Sequence, residues 1–283
     1  MKIVYLQTEL TAKLNEVREK SLRIGFVPTM GALHEGHLKL IKQARMENDV
    51  VVCSIFVNPI QFNNPTDLER YPHTPKEDIA LIEKYCDILF MPSVQEMYPC
   101  PPTENYHFGT LETVMEGQYR PGHFNGVATV VKRLFDIVRP HTAYFGKKDF
   151  QQLVIIQKLV KDYGLPVKIQ AVDTVREKDG LAMSSRNKLL SPHARSVAPF
   201  IWQTLQKAKT FTKEKNPRQI SEWIREEFNK NKDFTLEYAQ LVNSETLEEA
   251  DDFGSAKNIV ACVAVWLDNV RLIDNLSFEE QKA

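Results

Sequence analysis

The chain has 283 residues, 43% hydrophobic and 26% charged, with a formal net charge of −1. That size and balance suit one large or two modest globular domains, and the near-neutral charge supplies no overall basic field for nucleic acid. The N-terminus turns polar too early for a signal peptide, and the longest apolar run, Ile259 to Leu267, is far short of the ~20 residues that span a bilayer.

In chain order, strand and helix signals alternate. Ile24–Val27 reads as a strand, followed by a loop and a helix from about His37. Val50–Val57 is a β-branched run of the kind found in buried parallel strands. Thr74, Pro75 and Glu77 are placed as N-cap, first helical residue and capping-box partner of a helix reaching about Tyr85. Ile88–Met91 is the next strand, Val127–Val138 a helix stopped by Pro140, and Ala143–Phe145 a short strand. Asp149–Tyr163 is a helix with Gly164 just beyond its end, and Val167–Val172 a strand. This alternation predicts an α/β fold, a Rossmann-like doubly wound parallel sheet whose ligands sit beyond the carboxyl ends of the strands.

The pattern changes near Thr174. Residues 177–190 lack an apolar period and read as a loop at a domain boundary. Ser191-Pro192 and Asn216-Pro217 open helices, Phe234–Val242 and Ile259–Leu267 read as strands, and Asp268-Asn269 is a hairpin turn into Arg271-Leu272-Ile273. The expected division is therefore 1–174, the doubly wound part, and 175–283, a smaller α+β domain. Cys53, Cys86, Cys100 and Cys262 are far apart and form no CxxC, so free thiols in a reducing cytoplasm are expected.

The most informative stretch is Pro28 to His37, a loop between strand and helix. Gly31 and Gly36 permit close backbone approach, and His34 and His37, three apart, share one face where the helix begins. A helix N-terminus attracts anions, so the pair suits triphosphate oxygens; a zinc pair lacking its third ligand and two surface histidines are the alternatives. Met183-Ser184-Ser185-Arg186 offers two hydroxyls and a guanidinium, a phosphate clamp or else a plain helix start. Asn58 and Gln61 are neutral groups at a strand end, suited to hydroxyls and a carboxylate or to turn chemistry around Pro59. In Gly146-Lys147-Lys148-Asp149 one lysine suits phosphates, and Asp149 a ribose or a helix cap. Glu116 to Phe124 is a polar loop, either functional or an ordinary connection with an exposed ion pair.

His-x-Gly-His after the first strand and a late Met-Ser-Ser-Arg together resemble the nucleotidylyltransferase and class I aminoacyl-tRNA synthetase superfamily. The segments PTMGALHEGH, FVNPIQF, ERYPHT, EGQYRPGHFNGVATVV, YFGKKDFQQ, REKDGLAMSSRN and RLIDN, spread over roughly residues 24–275, more specifically resemble the pantothenate synthetase (pantoate–β-alanine ligase) family. The resemblance implies a homodimer of Rossmann-like domains with a smaller C-terminal lid domain. It implies ATP- and Mg²⁺-dependent condensation of (R)-pantoate with β-alanine through an acyl-adenylate, releasing AMP and pyrophosphate.

By the same resemblance the ATP loop maps onto Met30, Gly31, Ala32, Leu33, His34, Glu35, Gly36 and His37, with His37 the catalytic proton donor. Further ATP contacts map onto Gly146, Lys147, Lys148, Asp149, Val175, Met183, Ser184, Ser185 and Arg186. Gln61 and Gln152 map onto the pantoate position, Gln61 also near that of β-alanine, and Asn58 is counted with them as a substrate-side residue by its type and place. The family commonly has Glu or Gln where Lys147 stands, so Lys148 inherits the phosphate role and Lys147 is peripheral. The charge work falls to His34, His37, Lys148, Ser184, Ser185 and Arg186, with His37 envisaged as an imidazolium donor. No metal ligands are assigned; Glu77 and Asp78 are weak candidates, and triphosphate oxygens and waters are expected to hold Mg²⁺. Residues 177–187 are expected to act as a lid ordered by ATP, hinged near Thr174 and Gly180. A different nucleotidylyltransferase, an RNA-charging relative and a non-catalytic nucleotide-binding module are the competing readings; neutral Asn58, Gln61 and Gln152 favour a small hydroxy acid over a phosphorylated acceptor.

Overall fold

Valine-rich Val50–Ile55 forms one of six parallel strands: β1 (Lys2–Val4), β2 (Ile24–Thr29), β3 (Val50–Ile55), β4 (Ile88–Phe90), β5 (Thr142–Gly146) and β6 (Lys168–Val172). The computed structural model describes residues 1–63, 65–69, 71–254 and 258–278. Arg70, within the ERYPHT motif, lies outside the described residues. The sheet runs β1-β4-β3-β2-β5-β6. The chain steps outward from β2 through β3 to β4, then returns to place β5 on the other side of β2. In doubly wound sheets that reversal opens a crevice at the strands' carboxyl ends.

The connecting helices are α1 (Gln7–Glu19), α2 (Glu35–Glu47), α3 (Pro65–Glu69), α4 (Pro75–Ile82), α5 (Val94–Met97), α6 (Glu116–Tyr119), α7 (His123–Val138) and α8 (Phe150–Asp162). Leu40, Ile41 and Ala44 of α2 pack with Val51, Cys53, Leu89 and Tyr144 of the sheet. Three of the four cysteines are buried, and burial pushes the Cys86 thiol up to about 12, so these thiols behave as small apolar groups.

The chain divides into two compact units, one of residues Met1–Lys147 and Gln152–Asp173, the other of Lys148–Gln151 and Thr174–Ala283. The second holds α9 (Pro192–Val197), α10 (Phe200–Lys209), α11 (Pro217–Lys230) and an antiparallel sheet of β7 (Phe234–Asn243), β8 (Ile259–Leu267) and β9 (Val270–Ser277). Asn216 and Gln219 form a capping box ahead of α11, with Pro217 in the first turn. Its core joins Ile220, Ile224 and Phe228 of α11 to Ala261, Val263 and Val265 of β8.

Several boundaries differ from the sequence expectations. β1 and α1 went unrecognised because α1 buries only Leu10 and Leu14. The helix after β2 starts at Glu35, since His34 rather than a later residue caps it. The helix opened by Pro75 ends at Ile82, not Tyr85, and Thr74 makes no side-chain cap. The helix predicted from Val127 starts at His123, directly after left-handed Gly122.

Candidate active site

The loop between β2 and α2 leaves the sheet beside the β2/β5 switch point. Gly31 and Ala32 are both left-handed, with φ of 82° and 50°. This turns the N–H groups of Ala32 and Leu33 toward Asp78 of α4, whose two carboxylate oxygens accept them at 3.0 and 2.8 Å. Thr74 Oγ1 donates to the same carboxylate at 3.0 Å. Successive N–H groups in such a turn form an anion-binding concavity; here the anion is the protein's own Asp78, 2% exposed. Ala32 and Leu33 therefore shape the loop, and their N–H groups are committed internally. Asp78 is a loop clamp rather than a ready metal ligand, and Glu77 points from an exposed position. Among the described residues no three His, Cys, Asp or Glu side chains group as a metal site.

The two histidines are held by the helix start. Gly36 N–H donates to His34 Nδ1 at 3.1 Å, and His34 N–H donates to His37 Nδ1 at 3.3 Å. Their ring centroids lie 4.2 Å apart. A nitrogen that accepts an N–H carries no proton, so in each neutral ring the proton sits on Nε2. An imidazolium would set Nδ1–H against a backbone N–H. In the neutral form each ring therefore offers Nε2–H as its donor, and an imidazolium at His37 would give up the contact with His34 N–H. Gly36 is required by the same contact: a Cβ there would stand 2.8 Å from His34 Cε1.

Beyond β3, a turn of 3-10 helix (Pro59–Gln61) carries the neutral amides. Asn58 is 1% exposed. Its Nδ2 donates to Gln61 Oε1 and to Gly126 O, both at 3.1 Å, while its Oδ1 accepts from Tyr98 OH at 3.0 Å. Burial pushes the Tyr98 hydroxyl up, keeping it a donor. Gln61 Nε2 donates to Met30 Sδ at 3.3 Å, which joins this turn to the β2–α2 loop. His123 supports Gln61 from behind. Arg120 donates to His123 Nε2 at 3.3 Å, leaving the ring proton on Nδ1, which donates to Gln61 O at 2.8 Å. Glu116, 8% exposed, lies 3.9 Å from the Arg120 guanidinium. The segment left open in the sequence between a functional loop and an ordinary connection thus props Gln61 through His123. Glu116, Arg120 and His123 were missed as supports, although their spacing at a helix start was a usable signal.

Gly146 ends β5, and Lys147 pairs with Asp173 at 2.7 Å, holding that carboxyl below its usual range. Lys147 is thereby engaged in an ion pair beside the end of β5. Gln152 lies in the first turn of α8 and is half-buried.

The second unit gathers the remaining candidates. Lys148 is 19% exposed with Nζ 3.7 Å from Asp149, and its carbonyl accepts from Asn275 of β9. Met183 N–H donates to Val175 O, so these two lie side by side. Ser184 Oγ accepts Arg186 N–H at 3.3 Å and caps a 3-10 turn (Ser185–Leu189), with Ser185 buried. The expected lid is a tied hairpin rather than an unsupported loop. Arg176 and Ala182 bridge across it, Arg195 binds both Glu177 and Asp179 at 2.6 Å, and Asn187 reaches Glu177 and Ala182 O.

One unit therefore brings together Met30–His37, Asn58 and Gln61 at the ends of neighbouring parallel strands, and the other brings together Lys148, Asp149, Val175 and Met183–Arg186. An imidazole pair at a switch point beside the neutral amides Asn58 and Gln61 makes this end of the α/β sheet the candidate active site. Comparison with known proteins gives the family. The family model for pantoate–β-alanine ligases matches residues 2–277. A protein of Azobacteroides pseudotrichonymphae named pantothenate synthetase is 49% identical, covering 98% of this chain and 100% of its own length. Its namesake from Bacteroides fragilis is 43% identical over 99% of this chain and its full length. The crystal structure of a Thermus thermophilus pantothenate synthetase superposes with a TM-score of 0.93 at 42% identity, covering 99% and 100% of the two chains. A Francisella tularensis pantoate–β-alanine ligase, crystallised with an ATP ligand and β-alanine, gives 0.83 at 37% identity over both full chains. The chain belongs to the pantoate–β-alanine ligase family and is an enzyme of that class.

Proposed function

We propose that the protein joins (R)-pantoate to β-alanine in two steps, through pantoyl-adenylate. A free carboxylate has no adequate leaving group for amide formation. A pantoate carboxylate oxygen attacks the α-phosphorus of ATP, the bond to the bridging oxygen breaks, and pyrophosphate leaves. The β-alanine amine then attacks the acyl carbon, loses a proton to solvent and expels AMP. Such chemistry calls for positioning and charge stabilisation rather than a nucleophilic side chain.

The observation that carries the reading is the capped histidine pair, two Nε2–H donors fixed at the start of α2. His37, with His34, donates to phosphate oxygens as charge builds on the leaving pyrophosphate. Lys148, Ser184, Ser185 and Arg186 bind the triphosphate, while Met30, Gly31, Glu35, Gly146, Asp149, Val175 and Met183 line the nucleotide. Gln61 and Gln152 bind pantoate, with Gln61 also near β-alanine, and Asn58 acts by orienting Gln61. None of the described side chains forms a metal site, and a Mg²⁺ ion arriving with ATP would supply charge neutralisation at the triphosphate. The functional division is a nucleotide- and pantoate-binding region, 1–174, and a C-terminal domain, 175–283. The working form is a cytoplasmic homodimer.

Isotope exchange tests the first step. Labelled pyrophosphate should enter ATP when pantoate is present and β-alanine absent, and AMP should appear on adding β-alanine. Exchange without pantoate, or only with β-alanine, would exclude this order.

A further inference from the structure

The mechanism above leaves the buried carboxyl of Asp274 unused. Asp274 on β9 is 3% exposed, and Arg176 binds it through both guanidinium nitrogens, at 2.6 and 2.9 Å. The same guanidinium lies 3.4 Å over the Trp202 ring and donates to Gly180 O. Burial raises the Asp274 carboxyl, opposed by Arg176, then by the Asn275 N–H and last by the charge of Lys148. A planar, doubly bonded and stacked guanidinium is a rigid anchor. It also donates to Asn275 O, at 3.3 Å. The adjoining Asn275 N–H donates to Asp274 Oδ1 at 2.8 Å, so the backbone of Asn275 is fixed on both sides.

The side chain of Asn275 then reaches away from the hairpin. Its Nδ2 donates to Lys148 O at 2.8 Å, across 127 residues of sequence. Lys148 follows directly on Lys147, and the segment Lys148–Gln151 belongs to the unit that contains β9.

We propose that Asn275, anchored by the Arg176–Asp274 pair, is a positioning residue that sets where Lys148 presents its ammonium to the nucleotide. The inference rests on the reading of Lys148 as a phosphate ligand. Asn275 touches no reacting atom; it fixes the backbone from which Lys148 extends. The same anchor grips the hairpin leading into Met183–Arg186, so lysine and hydroxyl pair are referenced to one strand. A misplacement of about 1 Å in a positioning element can lower rates by about a hundredfold.

The test is a double-mutant cycle on the full-length enzyme, read as KM for ATP and kcat in pantoate-dependent pyrophosphate exchange. Asn275→Ala should raise KM for ATP about tenfold or more, with KM for pantoate and the thermal midpoint unchanged. Asn275→Asp, which keeps the volume but loses the donor, should reproduce it. In a Lys148→Ala background the Asn275 substitution should add nothing, because positions that act through one group are non-additive. If Lys148→Ala raises KM for ATP but Asn275→Ala has no effect, or an effect that adds in full, the inference is overturned while the assignment of Lys148 stands. If Lys148→Ala leaves ATP kinetics unchanged, the assignment of Lys148 fails and the inference falls with it.

Discussion

At the scale of single residues, the chemistry turns on which ring nitrogen carries the proton. His34 and His37 each spend Nδ1 on a backbone N–H, leaving Nε2–H as the donor. His37→Ala should therefore lower the pantoate-dependent exchange rate by about 10²–10³, the size of losing one transition-state donor. Pantoate affinity by calorimetry should stay near wild type; equal losses in both would assign His37 to capping alone. Asp78 is the second residue with a defined task. Asp78→Asn places an amide N–H against Ala32 N–H or Leu33 N–H, and a buried unsatisfied donor costs about 1–3 kcal/mol. Denaturant unfolding should show that loss; an unchanged midpoint would mean the loop holds its left-handed turn unaided.

At the scale of elements, the placement of Gln61 depends on how closely α7 meets the Pro59–Gln61 turn. A Cβ at Gly126 would stand 2.8 Å from Gln61 Cα and 2.9 Å from Gln61 N. Gly126→Ala must displace the turn, an overpacking that costs about 1–3 kcal/mol. KM for pantoate should rise while KM for ATP holds; parallel rises would place the damage elsewhere. The hairpin after Thr174 carries a pH dependence. Arg195 holds the Asp179 carboxyl below its usual value. A lowered folded-state pKa stabilises above the unfolded pKa of about 3.9, and that stabilisation is lost as pH falls through the folded value. The difference in thermal midpoint between wild type and Asp179→Asn should thus be full at pH 7 and shrink below about pH 4. A gap that persists at lower pH would show that packing, not charge, ties the hairpin.

These elements also show what a sequence displays and what it hides. Strands β2 to β6 announce themselves through runs such as Val50-Val51-Val52, and the helix starts at Ser191-Pro192 and Asn216-Pro217 through local cap chemistry. His34, His37 and the Met183–Arg186 run were legible because their residue types sit in a short stretch. The clamp from Asp78 to the Ala32–Leu33 turn was not, since it joins positions some 45 residues apart through backbone donors that every sequence possesses. Asn58 reads in the sequence as a ligand or as turn chemistry around Pro59, and its bonds to Gln61, Gly126 O, Tyr98 and Ile60 N–H join positions that the sequence does not bring together. The ring tautomers depend on hydrogen-bond direction, which residue identity does not encode.

At the scale of the whole molecule, the chain commits its donors in two sets, one per unit. The imidazoles and neutral amides are built on parallel strands, and the lysine and hydroxyls are built on the unit whose antiparallel sheet carries Asn275. Placing Lys148–Gln151 in the second unit departs from a single cut at residue 174 and links the post-β5 segment to β9. Both sets serve one claim, that the acid is activated on the α-phosphorus. The direct measurement is the fate of ¹⁸O from carboxylate-labelled pantoate in a full turnover with ATP and β-alanine. The account predicts AMP carrying one pantoate-derived oxygen and pyrophosphate carrying none. Unlabelled AMP, or label in phosphate or pyrophosphate, would contradict it.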